Sequence, residues 1–281
     1  MNAIEIKGLC KSYDDFELEN INLVLPSGCI MGLVGENVAG KSTTIRLIIN
    51  AIKSGAGQIT VLGTDNKSRE FLRVKEYIGV VLDEAYFPEV LTAQNVNSII
   101  KNTYKNWDEK CYFDYMVKFN LPLKKQFKDF SRGMKMKLAI AVAMSHNPKL
   151  LILDEATSGL DPMVRDEILD IFNDFTRDET HSVLLSSHIV SDLEKICDYI
   201  AFVHRGKLIF CEEKDRLFEE YGIVRMTKSD FEAIPEDAIV GKKVTDYGVE
   251  ALVRKNAVSG AFATELATIE DIILNIAKGD K

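Results

Sequence analysis

Apolar residues along the chain gather into short runs that alternate with helix-period stretches, and turn residues separate the two. Residues 3–9, 17–25 and 29–34 read as strands; the last, CIMGLV, is an apolar run bounded by turn residues and ends at Gly35. A helix fits Lys41–Ile52, with Ile45, Leu47, Ile48 and Ile49 apolar, and the turn at Gly55–Gly57 stops it before the strand QITVL. Residues 70–76 look helical, YIGVVL at 77–82 reads as a strand, and a turn follows around Pro88. From Thr92 to His146 three helical stretches, near 92–104, 108–118 and 132–145, arrive with no strand between them. Pro148 closes this stretch, and alternation resumes with strands at 149–155, 182–188 and 199–204 and helices at 162–176, 189–197 and 213–220. Such alternation predicts an α/β fold, a mostly parallel sheet covered by helices. The strandless stretch reads as a helical insertion over about 85–146, inside a main domain of residues 1–220. Residues 221–281 mix short strands with a final helix near 268–277 and are expected to form a small α+β accessory domain.

Charge and composition narrow the function classes. A net charge of −8 and a pI near 5.2 argue against a surface that binds nucleic acid throughout, so no direct nucleic-acid partner is expected. The longest apolar runs, Leu138–Met144 and Leu150–Leu153, fall far short of the roughly 20 residues a spanning helix needs. The start, MNAIEIKG, lacks the basic head and apolar run of a secretory signal, so a cytoplasmic location is expected. Cys10, Cys29, Cys111, Cys197 and Cys211 are scattered without metal-ligand spacing and read as reduced thiols.

The chemistry is concentrated in two places. Gly35, Glu36, Asn37, Val38, Ala39, Gly40, Lys41 and Ser42 match G-x-x-x-x-G-K-[ST] between an expected buried strand and an expected helix, which is the context that motif requires. Consecutive backbone N–H groups and the helix start at Ser42–Thr43 make an anion cradle, because unpaired helix-terminal donors and the dipole favour phosphate. Lys41 should reach the β- and γ-phosphates, and the Ser42 hydroxyl should ligate Mg²⁺. The second place is Leu150–Glu155, four apolar residues ending in two carboxylates at the carboxyl edge of the sheet, where α/β ligands bind. Asp154 is suited to hold Mg²⁺ through water, and Glu155 to polarise the water that attacks the γ-phosphate.

With these motifs in place the sequence resembles the ATP-binding subunits of ABC transporters over about residues 1–220. FSRGM, with Ser131 and Gly133, looks like the signature motif in the form that resembles the drug and peptide exporter subclass. SGLD, ending at Asp161, looks like the D-loop; His188 looks like the switch histidine; Tyr13 looks like the aromatic that stacks on adenine. Taken singly, Ser131 is an ordinary helix cap, His188 a structural histidine and Tyr13 a half-buried strand residue; their order gives them meaning. The resemblance implies a P-loop NTPase core of RecA type with an antiparallel β-subdomain, ATP and Mg²⁺ as ligands, and a catalytic set of Glu155, His188 and Lys41. It further implies a separate membrane permease, a homodimer or heterodimer closed by ATP in which one signature completes the partner's site, and a place on the inner face of the cell membrane. Two other readings stand beside it: a hydrolysis-impaired nucleotide-binding partner in a heterodimer, and a soluble ABC-type ATPase acting on ribosomes or DNA.

Three positions depart from the family pattern. Val38 stands where the family has glycine, and a β-branched residue is strained at positive φ, so the loop is expected to open and to bind ATP more weakly. Asp83 stands where the family carries the Q-loop glutamine; it offers an oxygen to Mg²⁺ or water but adds negative charge beside phosphate. Arg132 replaces the second signature glycine.

Overall fold

The structure, a computed structural model, describes residues 1–83, 87–258 and 262–279. Residues 85 and 86 of the expected insertion, and 259–261, 280 and 281 of the tail, lie outside these.

Three sheets organise the described residues. The first is antiparallel, in the order β2-β1-β4-β5, from β1 (Asn2–Ser12), β2 (Glu17–Pro26), β4 (Ala56–Val61) and β5 (Thr64–Asp65). The second carries the chemistry. It comprises β3 (Ile30–Val34), β6 (Ile78–Val81), β7 (Leu150–Asp154), β8 (Ser182–Ser187), β9 (Tyr199–His204) and β10 (Lys207–Glu213), in the order β10-β9-β3-β8-β7-β6. All neighbours in it pair in parallel except the edge strand β10. Strands β3, β7 and β8 are buried at every residue, which is why the sequence shows them as apolar runs rather than alternations.

Helices cover the faces of this sheet. They are α1 (Lys41–Ile48), the short α2 (Phe71–Val74), α6 (Pro162–Phe175), α7 (Val190–Ile196) and α8 (Lys214–Glu220), with the insertion helices α3 (Ala93–Ile100), α4 (Glu109–Lys118) and α5 (Arg132–Met144). Each insertion helix is started by a side-chain cap: Thr92 accepts from Asn95 N, Asp108 from Cys111 N, and Ser131 from Met134 N.

The tail forms the third sheet, β12-β13-β11-β14, from β11 (Tyr221–Met226), β12 (Ile239–Val244), β13 (Val249–Arg254) and β14 (Glu265–Leu266), with α9 (Lys228–Phe231) and the final α10 (Ile269–Gly279). Its central strands β11 and β13 bury both faces. Val224, Ala251 and Val253 point into a small core of the tail's own. Ile223 and Leu252, one residue out of phase, join Ile269, Ile272 and Ile273 in the same apolar cluster that holds Leu153, Leu185 and Phe202 of the main sheet.

His146, which follows α5, is fully buried; its ring stacks on Tyr104 at 4.1 Å and its Nδ1 lies 3.0 Å from Glu76 O. Burial pushes its pKa below the ordinary histidine value. The folded state therefore keeps the ring neutral while the unfolded chain takes up a proton below pH about 6.5, so stability is lost as pH falls through that range. We expect urea-unfolding free energies to decline from pH 7 to pH 5 by at most about 1.4 kcal/mol per pH unit from this residue, and His146→Phe to flatten that limb. An unchanged slope in the variant would assign the decline elsewhere.

Candidate functional site

The strand β3 lies between β8 and β9, at the middle of the main sheet, and delivers Gly35 to its carboxyl edge. From there residues 35–40 wrap back to the start of α1. Gly40 sits at φ 114°, and a Cβ on it would lie 2.5 Å from Leu18 Cδ2 and 2.9 Å from Phe16 Cζ; only glycine lets the loop turn into the helix at this depth. Lys41 is 6% exposed, and its ammonium is aimed by the loop itself, donating to Gly35 O at 2.7 Å and Glu36 O at 3.2 Å.

Opposite the lysine stand the residues that follow β7 and β8. Glu155 has φ 52°, a left-handed conformation rare for this residue type and held by bonds from Glu155 N to Ser186 O and to Ser186 Oγ, both 3.1 Å. Its carboxylate is shared: Oε1 lies 3.5 Å from Lys41 Nζ, and Oε2 lies 2.7 Å from His188 Nδ1. Asp154 is buried and accepts from Ser186 Oγ at 2.6 Å. One serine hydroxyl thus fixes both carboxylate-bearing residues. The cleft between these elements holds about 360 Å³ and is lined by Phe16, Glu36, Asn37, Val38, Gly40, Lys41, Ser42, Thr43, Asp83, Arg132, Glu155, Ser158 and His188.

A model of the ABC transporter family matches residues 18–158. The chain belongs to that family. Among its relatives are the lantibiotic transport ATP-binding protein SrtF of Streptococcus pyogenes, 34% identical over 215 residues (75% of this chain and 91% of that one), and the bacitracin transport ATP-binding protein BcrA of Bacillus licheniformis, 34% identical over 212 residues (73% and 68%). A solved ATP-binding subunit of an ABC transporter is similar with a TM-score of 0.68 and 28% identity, covering 76% of this chain and 91% of that one. A dimeric ATP-binding cassette bound to ADP and Pi, 21% identical, shares the fold with a TM-score of 0.67 over 75% of this chain and 98% of its own. The chain is thus an ATP-binding subunit of an ABC transporter, with the P-loop NTPase fold.

The ABC residues expected from sequence divide by location. Glu36, Asn37, Val38, Gly40, Lys41, Ser42, Thr43, Asp83, Glu155 and His188 meet at the cleft; Gly35 and Ala39 underlie it through the backbone, and Asp154 lies behind it. Tyr13 does not line it. The turn closed by Tyr13 N donating to Phe16 O at 2.7 Å leaves Tyr13 half exposed beneath the Lys11 ammonium, and puts Phe16 on the cleft instead. The sequence signal for Phe16 is present, since both aromatics stand in the same KSYDDF turn. Ser131 and Asp161 are exposed N-caps of α5 and α6, outside the cleft, and Gly133 follows in the first turn of α5. Ser186 and Arg132 were not among the expected site residues; a hydroxyl two positions before a strand-ending histidine is the sequence trace of the first.

Val38 corrects an expectation about the ABC phosphate loop. The loop does not open to relieve it: Val38 adopts φ 70°, as glycine would, with its side chain 85% exposed. A strain of about 1–3 kcal/mol is therefore carried by the fold and not by the binding step. We expect Val38→Gly to raise unfolding free energy by up to about 2 kcal/mol, the relieved strain less the added chain entropy, and to change triphosphate affinity by less than roughly 3-fold. Tightening by tenfold in titration calorimetry would show that the loop opens in solution after all.

Proposed function

We propose that this subunit hydrolyses ATP to drive export through a separate membrane permease, closing as a dimer over nucleotide. The observation that carries the reading is the Glu155 carboxylate held between Lys41 Nζ and His188 Nδ1 at the mouth of the phosphate cleft. A base so placed orients and deprotonates a water entering beside the terminal phosphate, while Lys41 neutralises charge on the β- and γ-oxygens. His188 steadies the carboxylate from the solvent side, and only a proton on its other ring nitrogen would let it donate to a phosphate oxygen.

Mg²⁺ fits the donor set. Ser42 presents a hydroxyl and Asp83 a carboxylate at the cleft, with Asp154 behind them; these are few hard oxygens, as suits an ion that keeps several waters and takes the rest of its shell from phosphate. Held by Ser42, Asp83 and Asp154, the ion would supply Lewis-acid neutralisation of phosphate charge.

The exposed Ser131 and Asp161, beside Gly133, favour the dimer reading, since donors and acceptors outside their own cleft are what a second subunit would complete. Among the described residues no helix is long and apolar enough to cross a membrane. The transport reading adds a membrane-embedded partner and a place on the inner face of the membrane. The names of the relatives favour a peptide or antibiotic as cargo. A hydrolysis-impaired partner is the second reading; Asp83 in place of the Q-loop glutamine favours it, whereas Val38, which keeps the glycine conformation, gives it no support. Phosphate release from the full chain with Mg·ATP, alone and with its permease, separates the two: activity in neither sample would favour the impaired partner.

A further inference from the structure

The contact between Glu155 and His188 joins the segment after β7 to the segment after β8, and a second tie joins the same two segments outside the cleft lining. Two residues past Glu155, the buried Thr157 donates its hydroxyl to Asp192 Oδ2 at 2.8 Å. Asp192 lies four residues past His188, in the first turn of α7, and is only 5% exposed. The same oxygen stands 3.7 Å from Arg165 Nε, and Arg165 Nη2 in turn donates to Leu160 O of the D-loop at 3.2 Å. One carboxylate oxygen is therefore shared by the loop behind Glu155, by α6 and by α7. Keeping it there is costly: burial raises the Asp192 pKa, against the pull of the Thr157 bond and the Arg165 charge. No side chain caps α7, so this tie is what fixes its start from outside the helix.

We propose that Asp192 is a positioning residue for hydrolysis, holding the segments that carry Glu155 and His188 at one spacing so that their 2.7 Å contact is set before nucleotide binds. This rests on the ATPase reading and adds to it a group outside the cleft. Glu155 needs such support, because its left-handed conformation persists only where the surroundings over-determine it. Ser186 holds it from the side of β8, and the Thr157–Asp192 bond anchors the chain that follows. Loss of either end of that bond lets the base drift from the water it orients, and a displacement of about 1 Å is enough to cost on the order of 10²-fold in rate. Lys41 and the phosphate loop lie on other segments, so nucleotide binding does not depend on the tie.

The test uses the full chain, alone and with its permease. Thr157→Val, which removes the hydrogen bond, and Asp192→Asn, which removes the charge facing Arg165, are each expected to slow phosphate release at saturating Mg·ATP by roughly 10- to 100-fold. Affinity for a slowly hydrolysed ATP analogue should stay within about 3-fold in both, so the loss falls on kcat. Thr157→Ser restores the hydroxyl and should return most of the rate lost in Thr157→Val. A group that acts through Glu155 has nothing left to position once the base is gone, so in single turnover Asp192→Asn should cost less than about 2-fold when Glu155→Gln is already present. Unslowed turnover in both variants, analogue affinity that falls in step with the rate, or an undiminished loss in the Glu155→Gln background would overturn the proposal. Absence of phosphate release from the unaltered chain, with and without its permease, would instead sink the ATPase reading beneath it.

Discussion

Glu155→Gln is expected to keep ATP bound while phosphate release slows by about 10²- to 10⁴-fold, the contribution of a positioned general base. The substitution is nearly isosteric in a site whose side chain is only 12% exposed, so the cleft should keep its shape. Its charge does not survive. Lys41 loses the carboxylate 3.5 Å away and becomes more available to phosphate, so affinity should rise slightly rather than fall. Trapped nucleotide should also hold dimers together, which sedimentation at saturating Mg·ATP would show. Undiminished turnover would remove Glu155 from the mechanism.

Lys41→Met should cost on the order of 100-fold or more in ATP affinity, taking two charge-assisted hydrogen bonds to phosphate at about 1.5 kcal/mol each as the minimum. The loss is large because the ammonium is already aimed: the carbonyls of Gly35 and Glu36 fix it, so little ordering opposes binding in the unaltered chain. Methionine matches the buried stem but leaves those two carbonyls without their donor, and the variant should unfold more easily. Calorimetry with the slow analogue, with circular dichroism to confirm folding, checks both effects. Affinity within fivefold of the original would mean that the backbone cradle alone holds the phosphates.

Much of the main sheet was legible because buried parallel strands write themselves as apolar runs. CIMGLV, LLILD and SVLLSS all fall on strands buried at every residue. The three helices between β6 and β7 were legible through the missing strands, and the caps Thr92, Asp108 and Ser131 fix where they begin. Motif spacing brought Lys41, Ser42, Glu155 and His188 to one cleft, since each ends or follows a strand at the same sheet edge. Side-chain direction inside a turn was not legible. Tyr13 and Phe16 are three residues apart in one loop, and a single backbone hydrogen bond decides which faces the cleft. Nor was Val38, because spacing carries no information about φ: the loop holds a β-branched residue in a glycine conformation by leaving its methyls in solvent. Arg132 escaped for a third reason. Its meeting with Asp83 spans 49 positions and depends on how the insertion leans on the sheet, which no local pattern encodes.

The tail, expected as a small accessory domain, has a small core of its own, yet its other face is continuous with the apolar cluster that holds Leu153, Leu185 and Phe202 of the main sheet. Ile269 N donates to Glu194 Oε2 at 3.0 Å, and Lys255 Nζ to Phe218 O at 2.7 Å, so polar seams close over the shared apolar layer. A graft of this kind behaves less like a flag on a pole than like a keystone's neighbour: a protein that grips the tail grips the wall behind α7, and α7 begins two residues after His188. Whatever docks there would act through α7 on the backbone that carries His188.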